Sequence, residues 1–401
     1  MIRVNQILIL CLSLISCQHA NNVDENQIKR FDLKELPKTR EVKLSDLGFV
    51  DIEYIPLESK EQCMISRIDD IIFGDNYFLT RFSTNINMFK YDGTFAAKIG
   101  TEGRGPNEFI VVHDVDICRN DQNIYLADGW QKKFYVYSET GEFIKTFRAP
   151  IKAAIRVPIF AAISFRFTED GILTYNMNAS ANVENSYSFI DTSGDIIKNF
   201  PNKYPWILKQ KSTAIFEENL FYHYNSKLYK KEVYSDTIYV FENLNFKPHL
   251  VIEHGDKLLT TKARSDYEPR ILFGKFISQK NLFEFGDYIY YEFTYGTIGG
   301  GNNTLKGFIG SKKDYTQFLI NTEQGLINDL DGGPNILPKT IKDNNTLVSW
   351  IEALKLKKLV ASQSFKNSTP KYPEKKKELE RLANSLKETD NPVLIMTRLK
   401  K

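Results

Sequence analysis

The chain has 401 residues, with 53 Lys and Arg against 50 Asp and Glu and a formal net charge of +3. So near a balance leaves nothing that calls for nucleic acid or another polyanion as partner. Hydrophobic residues make up 42% and aromatics 13%, with 28 Phe and 21 Tyr gathered in short clusters. That favours β structure over helix bundles, because aromatic rings suit a pleated, half-buried surface.

Taken in chain order, the N-terminus reads as an address. Arg3 supplies a positive start, and Ile7 to Ile15 is an apolar run too short for a comfortable membrane span. It ends in Leu14-Ile15-Ser16-Cys17, which resembles a bacterial lipobox, in which the Cys is lipidated and becomes the first mature residue. The expectation is a signal peptide over 1–16, a lipid on Cys17 and a polar tether over 17–40, with a plain secretory signal or an uncleaved anchor as alternatives. Cys11 falls inside the signal. Cys63 and Cys118 could pair in an exported chain, but separate buried thiols are the expectation.

From residue 41 onward the pattern is that of short strands. Phe49–Leu57 alternates apolar and polar residues, and Pro56, which lacks an N–H, places this strand at an edge. Arg67–Phe73, Tyr77–Phe82, Ile86–Tyr91 and Phe95–Ile99 form a first block, separated by Gly74-Asp75-Asn76, Ser83-Thr84-Asn85 and Asp92-Gly93. Asp-Gly between two strands is a hairpin signal. Asp114–Cys118, Asn123–Ala127, Lys133–Tyr137 and Phe143–Phe147 repeat the block, with Thr140-Gly141 standing about 48 residues after Asp92-Gly93. Four strands per repeat at that period are the mark of propeller blades.

Fainter blocks follow at Ala162–Phe200, Thr213–Glu253 and Leu282–Asn321, and a partial sixth holds Pro338–Lys342 and Thr346–Trp350. Two helices are expected next, over Ala353–Ala361 and Glu374–Lys387, and then a strand over Pro392–Leu399. The sixth block is one strand short, and Phe49–Leu57 has no partner in the first. Pairing that strand with Pro392–Leu399 closes the ring and leaves no open edge. The expected fold is therefore all-β, a six-bladed β-propeller over 41–401, with two short helices inserted in the last blade and an N-terminal strand closing the ring.

The corner Gly100-Thr101-Glu102-Gly103-Arg104-Gly105-Pro106-Asn107-Glu108-Phe109, with Ala127-Asp128 and Phe134-Tyr135-Val136-Tyr137 before Gly141, resembles an NHL-type repeat. It departs from that pattern at His113, where Pro is usual, and at Gly129-Trp130-Gln131-Lys132, where Asn-Arg is usual. Over its mature length the chain resembles the six-bladed β-propeller lipoproteins of Bacteroidota. The matching parts are Tyr54-Ile55-Pro56-Leu57-Glu58, the Gly-rich corner and Asp390-Asn391-Pro392-Val393-Leu394. That resemblance implies a Gram-negative source, an outer-membrane or surface address and no settled activity.

In an antiparallel four-stranded blade, the corner leading into the first strand and the loop joining the second and third strands lie on one face. That face is expected to carry Gly103–Phe109, Asp128–Lys132, Asn178–Asn185, Gly296–Asn303 and the helices of the sixth blade. The candidate binding residues are Trp130 as a stacking platform, Arg104 as an anion contact, and His113 and Asp114 at the channel. Each has a structural alternative: packing between blades for Trp130, a solvated turn charge for Arg104.

No phosphate loop, Gly-x-Ser-x-Gly elbow or Cys/His zinc pattern is present, so no catalytic residue, metal or cofactor is assigned. Asp236-Thr237-Ile238 resembles a short O-glycosylation signal. The leading expectation is an envelope lipoprotein that binds a protein or glycan on the loop-rich face. The alternative is a lactonase- or polysaccharide-lyase-like enzyme working at the channel mouth.

Overall fold

In the computed structural model, residues 28–148, 164–209, 215, 217–296 and 305–400 are described. Cys17, the signal and Gly299-Gly300-Gly301 lie outside them. Six antiparallel sheets are arranged as blades, each running from an inner strand to an outer one. The inner strands are Asp70–Phe73, Asp114–Ile117, Ser164–Phe167, Asn219–Tyr224, Ser278–Phe285 and Thr340–Asp343. We call the face bearing the blade-to-blade corners and second-to-third-strand loops the upper face, and its opposite the lower face.

The ring closes as the unpaired strands require. Phe49–Pro56 pairs antiparallel with Val393–Leu399 and becomes the outer strand of blade six. The recurrence near 48 residues has a steric cause. Gly93, in the turn before the outer strand of blade one, has φ +85°, and a Cβ there would stand 2.1 Å from the Pro56 carbonyl oxygen of blade six. Gly194 repeats this in blade three against the Arg148 carbonyl of blade two, so each turn abuts the outer strand of the preceding blade.

Middle strands supply the core. Ile124–Asp128 is buried at every position, whereas the outer strand Phe143–Arg148 is largely exposed. Packing continues between blades through aromatic rings: Phe134 of blade two stands edge-on to Phe165 of blade three at 4.9 Å and stacks on Phe147 at 4.9 Å. Cys63 and Cys118 are separate buried thiols, as expected.

Two expectations need correction. The segment assigned to a tether up to residue 40 is part of the body from Lys29 onward. Lys29–Asp32 adds a fifth strand, parallel, to the outer edge of blade four. Phe31 and Leu33 are buried, and Phe31 packs edge-on to Phe308 of blade five at 5.7 Å. The chain then crosses blade five through bridges at Thr39 and Lys43 before entering blade six. Apolar side chains at alternate positions drive this docking; the polar residues between them face water.

The second correction concerns helices. Blade six carries three, Ala353–Ala361, Gln363–Asn367 and Pro373–Ser385. Two more, Thr261–Asp266 and Pro269–Lys275, join blades four and five. The Thr260 hydroxyl caps the first of these by accepting from the Ala263 N–H at 3.1 Å, and Pro269 starts the second. Both helices are too short to show an apolar period.

His254, just past the outer strand of blade four, is 1% exposed. Its Nδ1 meets Asp236 Oδ1 at 2.6 Å, but burial and the Lys231 charge outweigh that carboxylate and push the imidazole down to about 4. An unfolded His titrates near 6.5, so the unfolded chain binds more protons between pH 6.5 and 4, and stability is lost as pH falls through that window. The expected loss from this residue is about 2 kcal/mol by pH 5. His254→Asn, which keeps a donor for Asp236, should flatten the wild-type drop in melting temperature between pH 7 and pH 5.

Candidate functional site: the upper face and the channel mouth

The upper face is built around one buried carboxylate. Asp128, at the end of the second strand of blade two, is 1% exposed. Its Oδ2 accepts from the N–H groups of Ile110 (2.8 Å) and Val111 (3.3 Å), and its Oδ1 from those of Trp130 and Gln131, both at 2.9 Å. One side chain thus pins the Gly-rich corner to the loop that carries Trp130. The Glu108 carboxylate folds back to accept from the Gly105 N–H at 2.7 Å, and a Cβ on Gly103 would collide with it at 2.0 Å. The corner is filled by its own Glu108 and by the buried ring of Phe109, which packs edge-on to Tyr135 at 6.0 Å. It is a structural turn, and no cradle for a ligand opens in it.

Trp130 is 56% exposed on this face. Ile110 (corner), Ile207 and Leu208 (between blades three and four), Ile271 (between blades four and five) and Met64 (between blades six and one) are exposed on the same face. Among the described residues the lower-face turns show one exposed large apolar side chain, Tyr315; the others lie on outer strands. Arg104 is exposed in the corner and does not line the channel.

The channel is a cavity of about 650 Å³ whose wall is made by the inner strands of all six blades. An inner strand has no neighbour on its channel side, so its N–H groups need other acceptors. Blade two supplies them. Asp114 Oδ2 accepts from the Phe165 N–H and Asp116 Oδ2 from the Phe167 N–H of blade three, both at 2.9 Å. The other oxygen of each accepts from the next N–H of its own strand, Val115 at 2.9 Å and Ile117 at 3.0 Å. Arg166 of blade three donates to Asp114 Oδ2 at 2.6 Å. Burial pushes the Asp116 carboxyl up to about 6 against the pull of Arg166, and raises that of Asp70 against the pull of Arg81 and then Arg166.

His113 lines the mouth, and its Nδ1 accepts from the Gly129 N–H at 3.0 Å, which places a proton on Nε2 when the ring is neutral. Burial lowers its pKa. At the lower end, Asn225 and Asn344 of blades four and six reach each other. The Asn225 N–H donates to Asn344 Oδ1 and Asn344 Nδ2 donates to Asn225 Oδ1, both at 2.8 Å. That pair ties the lower-face turns of blades four and six together.

The structure brings His113, Asp114 and the Trp130 loop together and leaves Arg104 apart from them. Sequence reasoning missed Arg81, Asp116, Arg166 and the Asn225–Asn344 pair. The signals were present: alternating carboxylates in Asp114-Val115-Asp116, and a lone charge inside Ser164-Phe165-Arg166-Phe167. Among the described residues, no three His, Cys, Asp or Glu side chains converge as metal donors.

Blade order, ring closure and channel together define a six-bladed β-propeller. Residues 28–398 match the family described as a domain of unknown function, DUF4934, and the chain belongs to that family. Among solved structures it is similar to an exported-protein candidate of Bacteroides fragilis, with 16% identity, a TM-score of 0.66, and coverage of 93% of this chain and 99% of that one. It also resembles a DUF4221 family member from Bacteroides vulgatus, with 12% identity, a TM-score of 0.48, and coverage of 88% and 97%. A search of curated proteins finds no match.

Proposed function

We propose that this propeller is anchored to the cell envelope through a lipid on Cys17 and docks a protein partner on its upper face. The observation that carries this reading is the concentration of exposed apolar side chains on upper-face loops, set against a single one on the lower-face turns. Exposed apolar residues gathered on one face of a soluble body mark contact surfaces. The group is mostly aliphatic, with Trp130 as its one aromatic member, and this favours a protein over a glycan, which needs several flat rings flanked by polar groups.

Lys29–Asp32 docks parallel to the outer strand of blade four, and a lipid on Cys17, 12 residues before Lys29, would lie within ~40 Å of that strand.

A lactonase- or lyase-like reaction at the channel mouth is less favoured, because Asp114 and Asp116 already hold backbone N–H groups with both oxygens. General acid–base work needs a group free to exchange its proton with substrate.

Two measurements test the proposal. Cys17→Ser should move the protein from the membrane to the soluble fraction; unchanged fractionation removes the anchor. The double variant Trp130→Ala, Ile207→Ser should lose about tenfold or more in affinity for solubilised native envelope protein, as loss of central apolar contacts does. Tyr315→Ala on the lower face should bind as wild type does, and equal loss in both variants would contradict the assignment.

A further inference from the structure

Arg81 stands at the upper end of the channel, on the second strand of blade one, opposite Asp70 of the inner strand. Its side chain is 19% exposed, so the guanidinium has left most of its water behind. What replaces that water is incomplete. Nε is buried with no hydrogen-bond partner. Nη1 reaches the His113 carbonyl only at 3.5 Å, and Nη2 stands 4.0 Å from Asp70 Oδ2, beyond hydrogen-bond range. A desolvated guanidinium with long, partial contacts is costly unless something completes it.

The carboxylates around it do not. Both oxygens of Asp114 and of Asp116 are committed to backbone N–H groups, and Asp114 also holds Arg166. Asp70 accepts from its own Ile71 N–H with Oδ1 at 2.8 Å, and its Oδ2 meets Arg81 only as a long ion pair at 4.0 Å. Arg166 uses Nη1 for Asp114 and for the Phe165 carbonyl, and the residue lines the same cavity.

We propose that the channel mouth is a binding site for a small carboxylate-bearing solute, its carboxylate seated on Arg81 within reach of Arg166. A planar guanidinium accepts a carboxylate through two parallel N–H donors, a fit that an ammonium cannot reproduce. The cavity, near 650 Å³, is large enough for a hexuronate or an organic acid of similar size. Ser164 and Asn219 line the same space, and a serine hydroxyl can both donate and accept toward the rest of such a molecule. This site does not depend on partner docking at Trp130 and Ile207, because none of its residues lies among those exposed apolar groups.

The test is calorimetric titration of the full chain in detergent with sodium galacturonate, galactose and sodium acetate. Saturable binding of galacturonate with none of galactose is the expected result. Acetate binding as tightly as galacturonate would also support the carboxylate seat and would assign the ligand to small organic acids. Arg81→Gln should weaken binding by about tenfold or more while melting no lower than wild type, since it removes a poorly satisfied buried charge. Arg81→Lys, which keeps the charge but loses the fork, should fall between the two. No saturable binding of either acid, or equal affinity in wild type and Arg81→Gln, would overturn the proposal.

Discussion

Deleting residues 392–401 abolishes the cooperative unfolding transition of the whole propeller. The strand Val393–Leu399 pairs on one side with Thr346–Ile351 and on the other with Phe49–Pro56, so its loss leaves Phe49–Pro56 without a partner and Thr346–Ile351 held only by the inner strand Thr340–Asp343. Val393, Leu394, Ile395 and Met396 are each at most 1% exposed. Truncating one such side chain to Ala typically costs about 2–5 kcal/mol, so four together cost about 8–20 kcal/mol, comparable to or above the roughly 5–15 kcal/mol by which a folded domain is stable.

The staple between the last blade and the first also lies just before this strand. Asn391 accepts from the Ile65 N–H at 2.7 Å and donates to the carbonyls of Glu58 (2.7 Å) and Cys63 (2.9 Å). Asn391→Ala should therefore lower stability while leaving a single transition. Calorimetry of the two proteins separates the cases, and a truncated chain melting at the wild-type temperature would refute ring closure through the C-terminal strand.

Asp128→Ala has the second largest expected effect, about 4 kcal/mol or more. Four N–H groups lose their acceptor, and each buried donor left unsatisfied costs about 1–3 kcal/mol, reduced where water can enter. The consequence is local as well as global. With the corner and the loop no longer pinned to one another, the amides of Ile110, Val111, Trp130 and Gln131 should exchange faster with solvent. Asp128→Asn retains one acceptor oxygen and should recover part of the loss. A change below about 1 kcal/mol for Asp128→Ala would show that the corner holds itself, through Glu108 and Phe109, without that carboxylate.

These cases also show where the fold was legible in the chain. Turn chemistry is local, so Asp92-Gly93 and Thr140-Gly141 announced their hairpins, and the missing strand of the sixth block pointed to Phe49–Leu57. The strand Lys29–Asp32 gave no such sign. It has four residues, one of them inward-facing, and its partners begin at Leu250, so no local period or turn announces it.

The channel obeyed the same limit. Asp114 could be placed on an inner strand from its block, but its partners Phe165 and Arg166 stand 51 and 52 residues away, and Asn225 and Asn344 are separated by 119. Which carboxylate is held by backbone and which guanidinium is left incomplete follows from how neighbouring blades meet, and strand alternation does not encode that. The sequence left Trp130 open between an exposed platform and packing between blades, and it is 56% exposed in the loop. Arg104 sat on the expected face, yet the corner folds over Glu108 and leaves Arg104 outside the channel.

Site-specific photo-crosslinking in cells producing the full chain tests the difference between the two faces directly. A photoreactive phenylalanine analogue is placed in turn at Trp130, Ile207 and Ile271 on the upper face and at Tyr315 on the lower. The prediction is a discrete crosslinked protein from the three upper positions and none from Tyr315. Crosslinks from Tyr315 alone, or from no position at all, would contradict the upper face as the docking surface.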